Sequence, residues 1–434
     1  MRDGDSIGRR IATERKLRGL TQRQLAQRSH ISLSLVQAVE QGVRTATATV
    51  LAAVARGLGV DRAQLTGQPY RTGRRSDDAV HDLVAAVRRE LAAFQLAADE
   101  NPPPLDLLQA EVAEVSALRH AADPYPLGSV LPGVLGDVRT AAHAAEGVER
   151  ERVMGLWAEV YYAARQWLWQ LGYGDLASVV ADRYEWAAAQ AADPLAVALG
   201  RVFRANELAG AGDRRNARAV MSAAVDEVEP MLGSGGEPAM CVYGFLQLMS
   251  AWTAAHAADT VATWAHHAEA DDMSRRIGAD RDDYRLAFGP TNVGIWSVAL
   301  AVETLDGRAA ATAAGRVVIP DGTPRERVGH HWIDVARAQL LAGDTAASLA
   351  ALSRARSASP EQVRPTRWHG KPCTRWPGGN ATPPTRSAGS PRGWVCRTRD
   401  GGKSNHRGVS LSPRSPEEPY SYMRSNGEQT GGAP

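Results

Sequence analysis

From Ile7 to Leu65 the apolar residues recur at helical rather than strand spacing. Ile7, Ile11 and Leu17 predict a first helix over Ile7 to Arg18. Leu20, Leu25, Ala26, Ile31, Leu35, Val36 and Val39 follow as the residues a small helical core would bury. Thr21-Gln22-Arg23-Gln24 has capping-box spacing and opens a helix over Gln22 to Arg28. A turn through Ser29, His30 and Ile31 leads to Ser32, which caps a helix over Leu33 to Gln41, and Gly42 is placed to end it. That helix sets Leu35, Val36 and Val39 on one face and Ser34, Gln37 and Glu40 on the other, with Gln41 beside them. Thr47 caps a further helix through Leu58, and a last turn from Asp61 ends near Leu65.

Residues 67–76 are rich in Gly, Pro and Arg and read as a linker between a domain over 1–66 and one over 77–364. The second domain is almost wholly helical in pattern. Helices are expected near Asp77–Ala97, Leu105–Ala121, Val130–Ala145, Arg150–Leu171, Asp175–Ala191, Pro194–Ala209, Arg214–Met231, Ala239–Ala257, Asp259–Ile277, Val293–Glu303, Arg327–Ala342 and Thr345–Ser357. Strand signals are nearly absent, and Arg316-Val317-Val318-Ile319 is too short to matter. A helix end, a Gly turn with Asp and a new helix with Ala early recur at Gly172–Ala177, Gly212-Asp213 and Gly343–Ala346. This is a degenerate likeness to tetratricopeptide repeats. The expected fold is therefore all-α, with five amino-terminal helices followed by an α-solenoid whose concave face suits a peptide or small ligand.

At Pro365 the helical period stops. Trp368, Trp376 and Trp394 sit among Pro, Gly, Arg, Ser and Thr. Read in another frame through permissive codons, Pro365 to Gly379 becomes His-Pro-Met-Ala-Arg-Glu-Thr-Val-His-Ala-Leu-Ala-Gly-Arg, which is helical. A frameshifted, disordered tail over 365–434 is the expectation, with Cys373, Cys396, His369 and His406 there by chance. Loss of the final helices would expose an apolar face near Leu340–Leu352.

The chain has 434 residues and a net charge of +2, so an attraction to nucleic acid has to be local. Arg9, Arg10, Arg15, Lys16, Arg18, Arg23 and Arg28 supply one. Three cysteines without a CxxC pair indicate neither a disulfide framework nor a structural zinc site. No apolar run approaches membrane-spanning length, and the amino terminus is not a signal peptide, so the chain reads as cytoplasmic. Its Ala, Arg and Gly richness suits a high-GC bacterial genome.

Ile7 to Leu65 resembles the phage-repressor-like (XRE/Cro) helix-turn-helix regulators. Leu17-Arg18, Leu20-Thr21-Gln22, Leu25-Ala26, Ile31-Ser32, Val36, Glu40-Gln41-Gly42 and Leu51 through Leu58-Gly59-Val60 carry the likeness. The resemblance implies duplex DNA as partner, with the second helix of the motif in the major groove and a dimer on two half-sites. By position it puts Gln22 near phosphate or a base edge, and Ser32, Leu33, Ser34 and Gln37 toward the groove. Arg18, Thr21, Arg23, Arg44, Thr45 and Thr47 become candidates for the flanking backbone contacts. Glu40 would tie down the turn after the helix. Leu33 either meets a thymine methyl or packs inward.

Tyr284 to about Arg364 resembles actinobacterial regulators of this two-domain type. Phe288-Gly289-Pro290-Thr291-Asn292-Val293 breaks the helical pattern there. Phe288 and Asn292 are candidates for a ligand-lining segment, against a plain helix start capped by Thr291 or Asn292. Trp157, Tyr161, Tyr162, Trp167, Trp169, Tyr173, Tyr184 and Trp186 crowd one region, either as core or as an aromatic-walled pocket. His266-His267 and His330-His331 lack metal-ligand spacing. No nucleophile triad, P-loop or dinucleotide fingerprint is apparent, so there is no case for an enzyme and no cofactor is expected. The reading is a sequence-specific transcriptional regulator whose repeat domain senses an effector or mediates dimerisation. The alternative is an interaction scaffold or toxin–antitoxin-type partner with weak DNA binding.

Overall fold

The amino-terminal helices are α1 (Ile7–Leu17), α2 (Gln22–Arg28), α3 (Leu33–Glu40), α4 (Ala48–Leu58) and α5 (Arg62–Thr66), and local capping starts α2, α3 and α4. The computed structural model describes residues 7–44, 46–60, 62–67, 69, 75–96 and 101–360, which all belong to one compact unit. Thr45 and the stretch from 361 onward, including the frameshift reading and its cysteines, lie outside them.

Thr21 Oγ1 accepts the Gln24 amide at 3.2 Å while Gln24 Oε1 accepts the Thr21 amide at 2.8 Å, completing the expected box. Ser32 Oγ accepts Leu35 N, and Thr47 Oγ1 accepts Val50 N. Ile11, Leu20, Leu25, Ala26, Val36, Val39, Leu51, Val54 and Leu58 fill one core. Leu17, expected inward, is 74% exposed. The inward stripe of α1 runs Ile7, Ile11, Arg15 at four-residue steps, and Leu17 falls on the far side of it.

The rest is built from paired helices: α6 (Arg75–Asp82), α7 (Val84–Ala93), α8 (Leu105–His120), α9 (Pro124–Ala144), α10 (Gly147–Leu171), α11 (Gly174–Gln190), α12 (Pro194–Ala211) and α13 (Arg214–Val228). Then come α14 (Gly236–His256), α15 (Thr260–Ile277), α16 (Pro290–Glu303), α17 (Gly307–Ala314), α18 (Arg325–Leu341) and α19 (Thr345–Ala358). Among the described residues the fold is all-α, with a lone antiparallel bridge between Arg281 and Phe288.

Three differences from the expected helices stand out, and the last two have local causes. The first predicted helix of the repeat region breaks at Leu83 into α6 and α7. Helix α9 starts six residues early, because Asp123 accepts the Tyr125 amide and Pro124 takes the first helical position, where proline is tolerated. Helix α17 was not expected. Its start follows Leu305 at φ 63°, and Asp306 accepts the Ala309 amide at 2.9 Å. The same turn, a left-handed residue followed by a capping Asp, occurs at Ala122-Asp123, Ala192-Asp193 and Ala258-Asp259, and with glycine at Gly212-Asp213 and Gly343-Asp344.

Trp157, Tyr161, Tyr162, Trp167 and Tyr184 are core, and Trp167 Nε1 donates to the Pro124 carbonyl at 2.7 Å. His266 meets Gln247 Oε1 at 2.8 Å and His267 meets the Val293 carbonyl at 3.2 Å. At the far end Leu341 and Leu349 are exposed.

A strap between α15 and α16 reaches back to earlier repeats, meeting residues of α8 and α10 and the start of α12. Tyr284, Arg285 and Ala287 take positive φ within it. Tyr284 Oη donates to Asp193 at 2.9 Å, Arg285 pairs with Glu159 at 2.7 Å, and the Arg285 carbonyl accepts from Arg119 Nη2 at 2.7 Å. Arg119 also pairs with buried Glu326 at 3.1 Å, which joins α8 to α18. Burial alone would raise the Glu326 carboxyl, but the Arg327 and Arg119 charges overcome it and bring it from 4.5 to about 2. A depressed folded value means that the ionised carboxylate adds stability above about pH 4.5, and that this is lost as pH falls toward about 2. Glu326→Gln is therefore expected to be less stable than the parent at neutral pH. In urea unfolding the difference should close through that window; a gap unchanged from pH 7 to pH 2 contradicts the assignment.

Candidate nucleic-acid interface

Arg15 is the inward residue of the last turn of α1, and its guanidinium reaches the end of α3. Nε and Nη2 donate to Glu40 Oε1 and Oε2 at 2.6 and 2.9 Å, and Nη1 donates to the Leu20 carbonyl at 2.8 Å. Glu40 Oε2 also accepts from Gln22 Nε2 at 2.8 Å. One carboxylate thus joins the end of α1, the start of α2 and the end of α3. Its side chain is 5% exposed, and its hydrogen bond holds the Arg15 guanidinium above its usual pKa. The backbones of α1 and α3 meet at Gly8, where a Cβ would collide with the Val39 carbonyl.

This clamp sorts the polar residues of α3. Glu40 turns inward, away from the face the helical pattern gave it. Ser32, Ser34, Gln37 and Gln41 remain exposed, with Ser34 Oγ 3.1 Å from Ser32 Oγ. Leu33 is half-buried against the core. Gln22 is half-buried, with its amide nitrogen bound to Glu40. Thr21, Arg23, Arg44 and Thr47 are exposed around this surface, Thr21 and Thr47 with their hydroxyls engaged as caps.

The basic cluster divides in two. Arg15 is consumed by the clamp, and Arg10 donates to the Leu65 and Thr66 carbonyls at 2.9 and 3.0 Å. Arg18, just past the end of α1, pairs with Glu14 within it. Arg23, Arg28 and Arg44 stay exposed. Between Lys16 and Val60 the only carboxylate in the sequence is Glu40, and it is already neutralised. Among the described residues from Lys16 to Val60, the exposed groups around α3 are therefore arginines and neutral hydrogen-bonding groups. Such a surface attracts phosphate and can exchange hydrogen bonds with base edges.

The ligand candidates lie elsewhere. Phe288 is fully buried, its ring filling the space that a Cβ on Gly244 would take. Asn292 is 3% exposed, with Nδ2 3.5 Å from the Leu286 carbonyl and Oδ1 without a hydrogen-bond partner. Neither side chain lines an open surface. The start of α16 is capped by neither Thr291 nor Asn292: Asp280 Oδ1 accepts the Thr291 amide at 3.0 Å. Among the described residues no group of His, Cys, Asp or Glu is placed to hold a metal, and no helix is long and apolar enough to cross a membrane.

Residues 11–65 match the helix-turn-helix family model HTH_3. Among solved structures the chain is similar to BtubC (BKLC) from P. vanneervenii at 14% identity, with a TM-score of 0.36, over 58% of this chain and 90% of that one. It is also similar to Bacillus thuringiensis PlcR, solved in complex with the peptide PapR7 and DNA. There the identity is 11% and the TM-score 0.25, over 80% of this chain and 98% of that one. No curated protein matches the chain.

The clamp yields a direct test. Glu40→Ala leaves a buried guanidinium unpaired, a change that costs about 3–5 kcal/mol. Hydrogen exchange should report that loss of protection in α1–α3 while α10 and α14 keep theirs. Arg15→Lys should restore protection only in part, because an ammonium lacks the fork that grips both oxygens. Unchanged exchange in α1–α3 would show that the clamp does not hold the helices together.

Proposed function

We propose that this chain is a sequence-specific DNA-binding transcriptional regulator. The observation that supports this most is the face of α3: polar, exposed, rimmed by arginines and freed of its one carboxylate by Arg15. In this reading α3 enters the major groove, Ser34 and Gln37 meet base edges, and Ser32 and Leu33 lie at its leading end. Gln22 presents its remaining amide oxygen beside the groove, and its nitrogen is fixed by Glu40. Arg18, Thr21, Arg23, Arg44, Thr45 and Thr47 serve the phosphates on either side.

Residues 1–66 form the reading domain, residues 67–76 the linker, and residues 77–364 a helical-repeat domain that senses an effector or joins two copies. A two-fold dimer on two half-sites follows from the need for enough base contacts to select one site in a genome. Effector control operates through whichever arrangement of the two domains the effector binds better.

Gln37→Ala is expected to lower affinity for a preferred duplex by about 1–3 kcal/mol and to leave binding to random duplex of the same length unchanged. Titration of the full chain with labelled duplexes measures both. An equal effect on the two duplexes removes Gln37 from the groove.

A further inference from the structure

Helix α17 stops short of the helix it packs on. α16 runs for 14 residues and α17 for 8, after which the chain continues without a helix until Arg325. The turn between them folds α17 back along α16, so roughly 9 Å of α16 at its start stays uncovered by it. An open trough of about 780 Å3 lies there. That is within the range of roughly 300–1,000 Å3 of small-molecule sites. Gly294 of α16 faces it, Trp264 reaches it from α15, and Arg316, Val317 and Val318 reach it from the loop after α17. A Cβ on Gly294 would stand 3.6 Å from Val317 Cγ2, so the loop crosses α16 where the helix carries no side chain. The Trp264 indole is 36% exposed and Val318 77%. Apolar residues exposed singly are ordinary, but here they share one concavity with charged groups, as ligand sites do.

The charges are divided along the trough. Asp306, Arg308 and Arg316 all line it. Asp306 keeps its negative charge while capping α17, accepting the Ala309 amide at 2.9 Å, and it stands at the start of the helix two residues from Arg308. Arg316 lies two residues past the other end of α17, roughly 12 Å further along the helix axis. Both arginines are exposed, and among the described residues neither is in an ion pair. Asp321, further along the loop, is not among the lining residues. Asp280, near the start of α16, is turned to the Thr291 amide. The Asp306 end is therefore balanced, and the Arg316 end is cationic.

We propose that this trough is the effector site of the repeat domain and that it takes a small aromatic carboxylate. The ring lies against Trp264 over Gly294, and the carboxylate pairs with Arg316. As a binding site the trough stands by itself; its role in control rests on the DNA-binding reading above. The loop that walls it leads into α18, whose Glu326 holds Arg119, so a ligand seated there bears on the framework of the repeats.

The test is calorimetric titration of the full chain, without DNA, using 2-naphthoate and its neutral counterpart 2-naphthamide. 2-Naphthoate should saturate one site per chain. 2-Naphthamide should bind about ten- to a hundredfold more weakly, the loss expected for a hydrogen-bonded charge. Arg316→Ala should weaken 2-naphthoate by the same factor and leave 2-naphthamide unchanged. Arg308→Ala removes the same charge beside Asp306 and should stay near the parental affinity. Gly294→Leu fills the trough from an ordinary helical position and should abolish binding of both probes. Trp264→Ala should weaken both alike, and because Trp264 and Arg316 are exposed their variants keep the fold. Absence of saturable 2-naphthoate binding overturns the proposal. So does equal affinity for the two probes, parental affinity in Arg316→Ala, or an equal loss in Arg308→Ala and Arg316→Ala. A failure here leaves operator reading standing. If operator reading fails instead, the titrations still decide the trough as a binding site, and only its role in control falls.

Discussion

A single carboxylate gripped by a guanidinium fork sets the geometry on which the amino-terminal domain depends. Arg15 and Glu40 lie 25 positions apart in sequence, and their pairing draws the end of α1 against the end of α3. Gln22 uses the same carboxylate to fix the start of α2. Breaking such a pair would leave a buried charge without compensation, so the three helix ends hold together or fail together. The same contact also settles the electrostatics. The only anion between Lys16 and Val60 is spent inside the domain, and what faces outward from α3 is neutral or positive.

The repeats use a comparable device at larger scale. Arg119 joins α8 to α18 through Glu326 and also holds the strap through the Arg285 carbonyl. Around it, Glu159 and Asp193 anchor Arg285 and Tyr284, residues whose positive φ would be costly without such partners. The strap is therefore part of the framework, and Phe288 and Asn292 serve packing within it.

Much of this was legible in the sequence because it is local. Caps at Thr21, Ser32 and Thr47 are short-range chemistry, and the helical period of the apolar residues marks most helices on either side of the linker. The turns were legible only where glycine supplied the left-handed residue, as at Gly212 and Gly343. At Ala122, Ala192, Ala258 and Leu305 the following Asp makes the same turn without that flag, which is how α17 went unseen. Leu17 and Arg15 were misassigned for one reason: the apolar spacing suggested a leucine inward, whereas the four-residue stripe from Ile7 leads to an arginine. Its partner, Glu40, could be identified only by knowing that α3 ends beside α1. The hydrogen bond from Arg214 to Thr49 had no local signal at all, since it joins residues 165 positions apart.

In the proposed function the α3 face, freed of its carboxylate, reads base sequence. Selection of bound molecules from random duplex DNA by the purified full chain at near-physiological salt tests it most directly. Enrichment of one motif with two spaced half-sites is expected. Recovered duplexes indistinguishable in sequence from the starting pool would contradict it.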